Sequence, residues 1–153
     1  MRAAALLSIL ALLSCRPAWA DTPENEVRAV ITAFQDGMRD RNVAHVQKTV
    51  GNDVVSILEG SRRDGWEEFR DRRLVPDFAH PAPASRWEIV RLSASADIAW
   101  AYTKTTLSSA AKGDMVMWTV FVLERRGKEW KIVMVDQSSG RPHPAPGKKP
   151  RRR

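Results

Sequence analysis

From Ser85 onward the chain carries four runs of apolar and β-branched residues, Arg86 to Leu92, Ile98 to Leu107, Met115 to Arg125 and Trp130 to Ser138, separated by short polar stretches. Runs of this kind joined by so few residues pair as an antiparallel meander, because parallel neighbours need long crossovers. The clearest hairpin loop spans Glu124 to Glu129 around Gly127. The central strand is apolar on both faces: Met117, Thr119, Phe121 and Leu123 alternate with Val116, Trp118, Val120 and Val122. A sheet with one side open to water would alternate more cleanly, so both sides need cover. Helices supply one cover. For the other, the expectation is a second copy of the chain docked through the sheet, and the alternative is strong curvature or screening by the proline-rich loop.

The helices come first. Thr22-Pro23 reads as an N-cap and a first-turn proline, and Val27, Val30, Ile31, Phe34 and Met38 follow at helical spacing. Asp40-Arg41-Asn42 breaks this helix before a shorter one carrying Val43, Val46 and Val50, which Gly51 is expected to end. Val54 to Glu59 is a short β run closed by Gly60, and the polar residues after it read as a loop. Asp64-Gly65-Trp66-Glu67 resembles a capping box, with Trp66, Phe69, Arg70, Arg73 and Leu74 behind it at helical spacing until Pro76 stops the helix. Phe78 to Ala84, with two prolines, is an extended connection.

Residues 1–20 stand apart from this pattern. Arg2 precedes an apolar run from Ala3 to Leu13 that is too short to span a bilayer, and Ala18-Trp19-Ala20 forms a cleavage site before Asp21. They read as a signal peptide for export to a periplasmic or secreted location, cleaved after Ala20. The alternative is processing before Cys15 and a lipid anchor there. Cys15 is the only cysteine, so residues 21–140, read as one domain, contain no disulfide and no thiolate chemistry. Of the net charge of +7, Arg2 and Arg16 carry two and Arg141, Lys148, Lys149, Arg151, Arg152 and Arg153 carry six, which leaves residues 21–140 at −1. Residues 141–153 read as a disordered basic tail rich in proline and glycine, and a nearly neutral domain argues against specific nucleic-acid recognition.

The last strand draws most attention. By the period-two rule Trp130, Ile132, Met134, Asp136 and Ser138 share a face, which sets Asp136 at the end of an apolar wall. A carboxylate there acts as a general base if burial raises its pKa, or pairs with Arg73, and pairing is the favoured reading. Tyr102 is a candidate oxyanion donor or a packing aromatic. His45, His80 and His143 are too scattered for a metal site, and Ser138 and Ser139 have no histidine to activate them.

The order of helices, lone strand, helix and long meander, with Asp40, Asn52-Asp53-Val54-Val55, Thr119 before Phe121-Val122-Leu123, and Trp130-Lys131-Ile132-Val133, is similar to the nuclear transport factor 2-like superfamily, in its polyketide-cyclase or ketosteroid-isomerase-like (SnoaL-like) branch. The resemblance covers nearly all of residues 24–139. It implies an α+β cone, with N-terminal helices packed on a curved antiparallel sheet around a pocket, and frequent dimers. Exported relatives end the corresponding segments in histidines, where this chain has Arg73-Leu74 and Asp136-Gln137-Ser138-Ser139, so a Glu/His/His cluster becomes Glu59, Arg73 and Asp136.

The expected function is therefore binding of a small apolar or amphipathic molecule without metal or cofactor, with its catalytic status open. Asp136 is the candidate catalytic residue, and Glu59, Trp66, Arg73, Thr119, Trp130, Met134 and Ser138 are the candidate binding residues. The rival readings are an isomerase, cyclase or dehydratase using Asp136 as acid and base, and an interaction or dimerisation module working through the outer sheet.

Overall fold

The computed structural model describes residues 22–108 and 114–140; the expected signal segment, Cys15, His143 and the basic tail lie outside them. Helix α1 (Pro23–Arg39) starts at Thr22, whose hydroxyl accepts a long bond from the Asn25 N–H at 3.4 Å. Its stripe of Val27, Ile31 and Phe34 is buried. Gly37 lies where α2 (Val43–Thr49) crosses α1, and a Cβ there would stand 2.9 Å from Val46 Cγ2. The glycine that interrupts the helical pattern thus permits a close helix crossing. Asn42 caps α2 by accepting from the His45 N–H at 3.0 Å.

Strand β1 (Val50–Leu58) begins directly after α2, so Gly51 lies inside the strand and does not end the helix. Glu59 and Gly60 both have positive φ, the signature of a tight two-residue hairpin turn, and lead back into β2 (Ser61–Asp64). The polar segment expected as a loop is therefore an edge strand, whose charged residues suit a position with one side unpaired. The third helix starts as α3 (Gly65–Phe69), widens into a π turn (Arg70–Leu74) and closes as α4 (Val75–Phe78). The Asp64 N–H donates to Glu68 at 3.1 Å, so the expected capping partner shifts by one residue from Glu67. Pro76 does not stop the helix. It falls in the first turn of α4, where its missing N–H costs little.

Strands β3 (Ala84–Ala94), β4 (Ile98–Ser108), β5 (Met115–Arg126) and β6 (Glu129–Gly140) form the expected meander. The sheet is mixed, with order β2-β1-β6-β5-β4-β3, because β1 joins β6 in parallel. One extra residue interrupts the ladder at Val90 in β3 and at Val133 in β6. Such bulges bend a strand, as an α+β cone requires.

The helices cover the inner face. Val27, Ile31, Phe34, Val46, Phe69 and Leu74 pack against Ala99, Ala101, Phe121, Leu123, Ile132 and Val135. Phe34 meets Phe121 edge-on at 5.3 Å, and full burial of such side chains is worth about 1.5–3 kcal/mol each. Glu26 on α1 accepts from Trp130 Nε1 at 2.8 Å and pairs with Arg125, whose guanidinium lies 4.6 Å from the centre of the Trp130 ring. This group ties the first helix to the β5–β6 hairpin. Among the described residues no helix is long and apolar enough to cross a membrane.

Candidate functional site

The bulge at Val133 decides what the last strand presents. Leu123 pairs with Ile132 but Val122 pairs with Met134, so the side-chain alternation of β6 inverts between them. Trp130 and Ile132 face inward, and beyond the bulge so do Val135 and Gln137. Met134, Asp136 and Ser138 turn to the outer face, where Asp136 lies between Ile57 and Val120 and Ser138 opposite Trp118. The expected single array of five residues is thus split by one inserted residue.

Gln137 takes the inward place expected of Asp136. A row of paired residues crosses the inner sheet there, from Ile89 through Thr103 and Thr119 to Gln137. The Gln137 amide nitrogen lies 3.4 Å from Thr119 Oγ1 and 3.7 Å from Met117 Sδ. The next row holds Trp87, Thr105 and Met117, and the row on the other side holds Ala101, Phe121, Val135 and Ser56. Along β4 the inward residues therefore change from Ala99 and Ala101 to Thr103 and Thr105, so the inner wall passes from apolar to hydroxylated. In the sequence Ala99, Ala101, Thr103 and Thr105 alternate with Trp100, Tyr102 and Lys104, and the alternation itself does not say which set faces inward.

Polar atoms on this face lack partners. The hydroxyls of Ser56, Thr103 and Thr105 and the Nε atoms of Arg63 and Arg73 are buried without a hydrogen bond. Buried polar groups are normally satisfied, each unmet one costing about 1–3 kcal/mol, so these five atoms are an unfavourable feature of an otherwise apolar face.

Arg73 enters from the π turn. Such turns displace side chains from the α-helical stripe, and this one brings the guanidinium over the sheet, where Nη1 pairs with Asp77 and Nη2 lies 3.4 Å from Gln137 Oε1. Burial pulls its pKa down from the ordinary arginine value; Asp77 opposes the shift and the nearby charge of Arg63 adds to it. The expected partner, Asp136, faces away. Arg63 stands opposite Ser56 in the β1–β2 ladder and hence on the same inner face, and its Nη1 donates to Ser61 O at 3.1 Å.

The remaining candidates are dispersed. Glu59, in the β1–β2 turn, accepts from the Ser139 N–H at 2.6 Å and from its hydroxyl at 2.7 Å, which fastens the turn to the end of β6. Glu59, Arg73 and Asp136 thus do not meet as one cluster. Trp66 is a core residue packed edge-on against Phe69, and Trp130 is held under α1 by Glu26. Thr119 lies in the polar row. Tyr102 stacks on Trp118 at 5.0 Å on the outer face, a packing role. Among the described residues no group of three or more histidines, cysteines or carboxylates could hold a metal ion.

The fold has many relatives among solved structures. A ketosteroid isomerase-like protein from Erwinia carotovora atroseptica superposes with a TM-score of 0.69 at 19% identity, over 80% of this chain and 99% of that one. A nuclear transport factor 2-like protein of unknown function from Pseudomonas putida gives 0.65 at 17% identity, over 75% and 84% of the two chains. A similar protein of unknown function from Shewanella oneidensis gives 0.62 at 15% identity, over 76% and 99%. At these identities the likeness is one of fold. No curated protein matches the chain. The model of the SnoaL-like domain matches residues 27–142, and the chain belongs to that family.

Proposed function

We propose that this domain binds a small amphipathic molecule on the inner face of its sheet, with the polar end against Arg73, Gln137, Thr119 and Thr103 and the apolar body toward Phe121 and the helices. The observation that carries this reading is the set of buried, unpartnered polar atoms on the inner face of an otherwise apolar interior. The hydroxyls, amide and guanidinium assembled there hold a ligand rather than move its protons. The carboxylate in contact with them, Asp77, is already paired with Arg73. Acid–base chemistry at Asp136 would have to take place on the outer face. A thermal-shift screen of small amphipathic compounds on the full chain, with native mass spectrometry, tests the reading: a saturable complex weakened tenfold or more by Gln137→Ala supports it. Binding lost in Asp136→Asn and kept in Gln137→Ala would favour the acid–base enzyme.

A second reading concerns assembly. Val90, Ile98, Trp100, Met115 and Val120 are exposed. Trp100, Tyr102, Trp118, Val120 and Val122 share the outer side of β4 and β5. We propose that a second copy covers this face as a homodimer through the sheet, burying the apolar side chains that β4 and β5 present there. Export through residues 1–20 is likewise proposed, on the sequence pattern alone. Mass spectrometry of the mature N-terminus checks it, with Asp21 first after signal cleavage and a lipid on Cys15 in the alternative.

A further inference from the structure

The two inward arginines have more positive charge and more donors than their surroundings accept. Arg63 and Arg73 come from different elements, and among the described residues Asp77 is the one carboxylate paired with either. The nearby acids are engaged elsewhere: Asp64 with Arg62, Glu68 with the Asp64 N–H and Arg72, and Glu59 with Ser139. Arg73 uses Nη1 for Asp77 and Nη2 for a long contact to a neutral amide, and its Nε has no partner although it is fully enclosed. The Nε of Arg63 is in the same condition. A guanidinium binds a carboxylate best through two parallel N–H donors in its plane, and the Nε–Nη2 edge of Arg73 is such a fork, occupied at present by a 3.4 Å contact alone.

We propose that the polar end of the inner face recognises a carboxylate, so that the ligand is a small apolar acid whose carboxylate sits between Arg63 and Arg73 while the unpartnered hydroxyl of Ser56, opposite Arg63 in the ladder, is available to its oxygens. This deepens the ligand-binding reading above and rests on it. The acid supplies the missing negative charge, and Gln137 yields its contact with Arg73 to a charged acceptor, which forms the stronger bond. Uniform apolar binding would need neither arginine. Their desolvation, visible in the depressed pKa of Arg73, is a cost that a bound anion offsets.

The test uses the full chain and matched probes: benzoate, phenylacetate and 4-phenylbutyrate, each beside its uncharged amide, and phenyl phosphate as a competing anion, all by isothermal titration calorimetry. The expected result is that at least one carboxylate binds ten times or more tighter than its amide. Arg63→Gln, an exchange on a partly exposed edge strand, should reduce that preference tenfold, the acid losing more affinity than its amide. Equal binding of acid and amide would overturn the proposal and leave the pocket reading standing. So would a preference that survives Arg63→Gln in a folded variant, or tighter binding of phenyl phosphate than of every carboxylate. Failure of all acids and amides to bind would count against both readings.

Discussion

Arg73 and Gln137, 64 positions apart in the chain, meet on the inner face of the sheet, guanidinium Nη2 to amide Oε1 at 3.4 Å. Two local irregularities make the meeting: the π turn that displaces Arg73 from an α-helical stripe, and the bulge at Val133 that turns Gln137 inward and Asp136 outward. Neither is a choice of residue type. Both are insertions in a regular repeat, which is how a fold re-aims side chains at a site.

Hydroxyls without partners cost stability in the unliganded protein. Thr103→Val replaces one with a methyl group of similar shape, and urea unfolding should show the variant more stable by about 1 kcal/mol. Ser56→Ala should move in the same direction. Destabilisation by both would mean that these hydroxyls are satisfied in solution and that the inner face is a closed core.

The α1–α2 crossing needs Gly37. An alanine gains up to about 1 kcal/mol of helix propensity. Its Cβ, however, falls 2.9 Å from the buried Val46 side chain and 3.1 Å from the Val46 nitrogen, and overpacking costs about 1–3 kcal/mol. Gly37→Ala should therefore be destabilising on balance, with a lower melting temperature by calorimetry; an increase would place the crossing farther apart.

The Glu26 group fixes a pH dependence. The hydrogen bond from Trp130, then that from Arg125, holds the Glu26 carboxyl below its ordinary value of 4.5. A carboxylate with a depressed folded pKa contributes stability that is complete above the unfolded value and is lost as pH falls through the folded one. Glu26→Gln should thus cost about 1 kcal/mol at pH 6 and progressively less as the pH drops below 4.5, read as the wild-type minus variant difference in urea unfolding. A difference constant from pH 6 to pH 3 would separate Glu26 from Trp130 and Arg125.

Assembly through the outer face makes Val120 a point of attack. Its side chain is exposed in the single chain, so Val120→Lys has little fold to disturb, and light scattering after gel filtration should change from dimer to monomer. A wild-type monomer at micromolar concentration would remove the homodimer.

The sequence made the meander legible because four apolar, β-branched runs follow one another with only short polar stretches between them, and Gly127 marked one turn. Thr22 and Asn42 were equally readable as breaks before helices. Three features were not. Ser61 to Asp64 has no apolar alternation, so an edge strand of charged residues reads as a loop. Pro76 reads as a terminator unless the turn before it is known to be wide. The bulge at Val133 lies inside an unbroken apolar run, and since it is defined by pairing with Val122 and Leu123, no local signal announces it. Every residue C-terminal to it was assigned the wrong face for that reason, which is why Asp136 was expected where Gln137 stands, while Arg63 was hidden in a segment read as loop.

The most direct test is a two-dimensional NMR titration of the full chain with a compound that raises its melting temperature, following the Gln137 side-chain amide and the methyl groups of Thr103, Thr119, Met134 and Val120. Binding on the inner face predicts saturable shifts of Gln137, Thr103 and Thr119, with Met134 and Val120 unmoved. Shifts centred on Met134, Asp136 and Val120, with Gln137 silent, would contradict it.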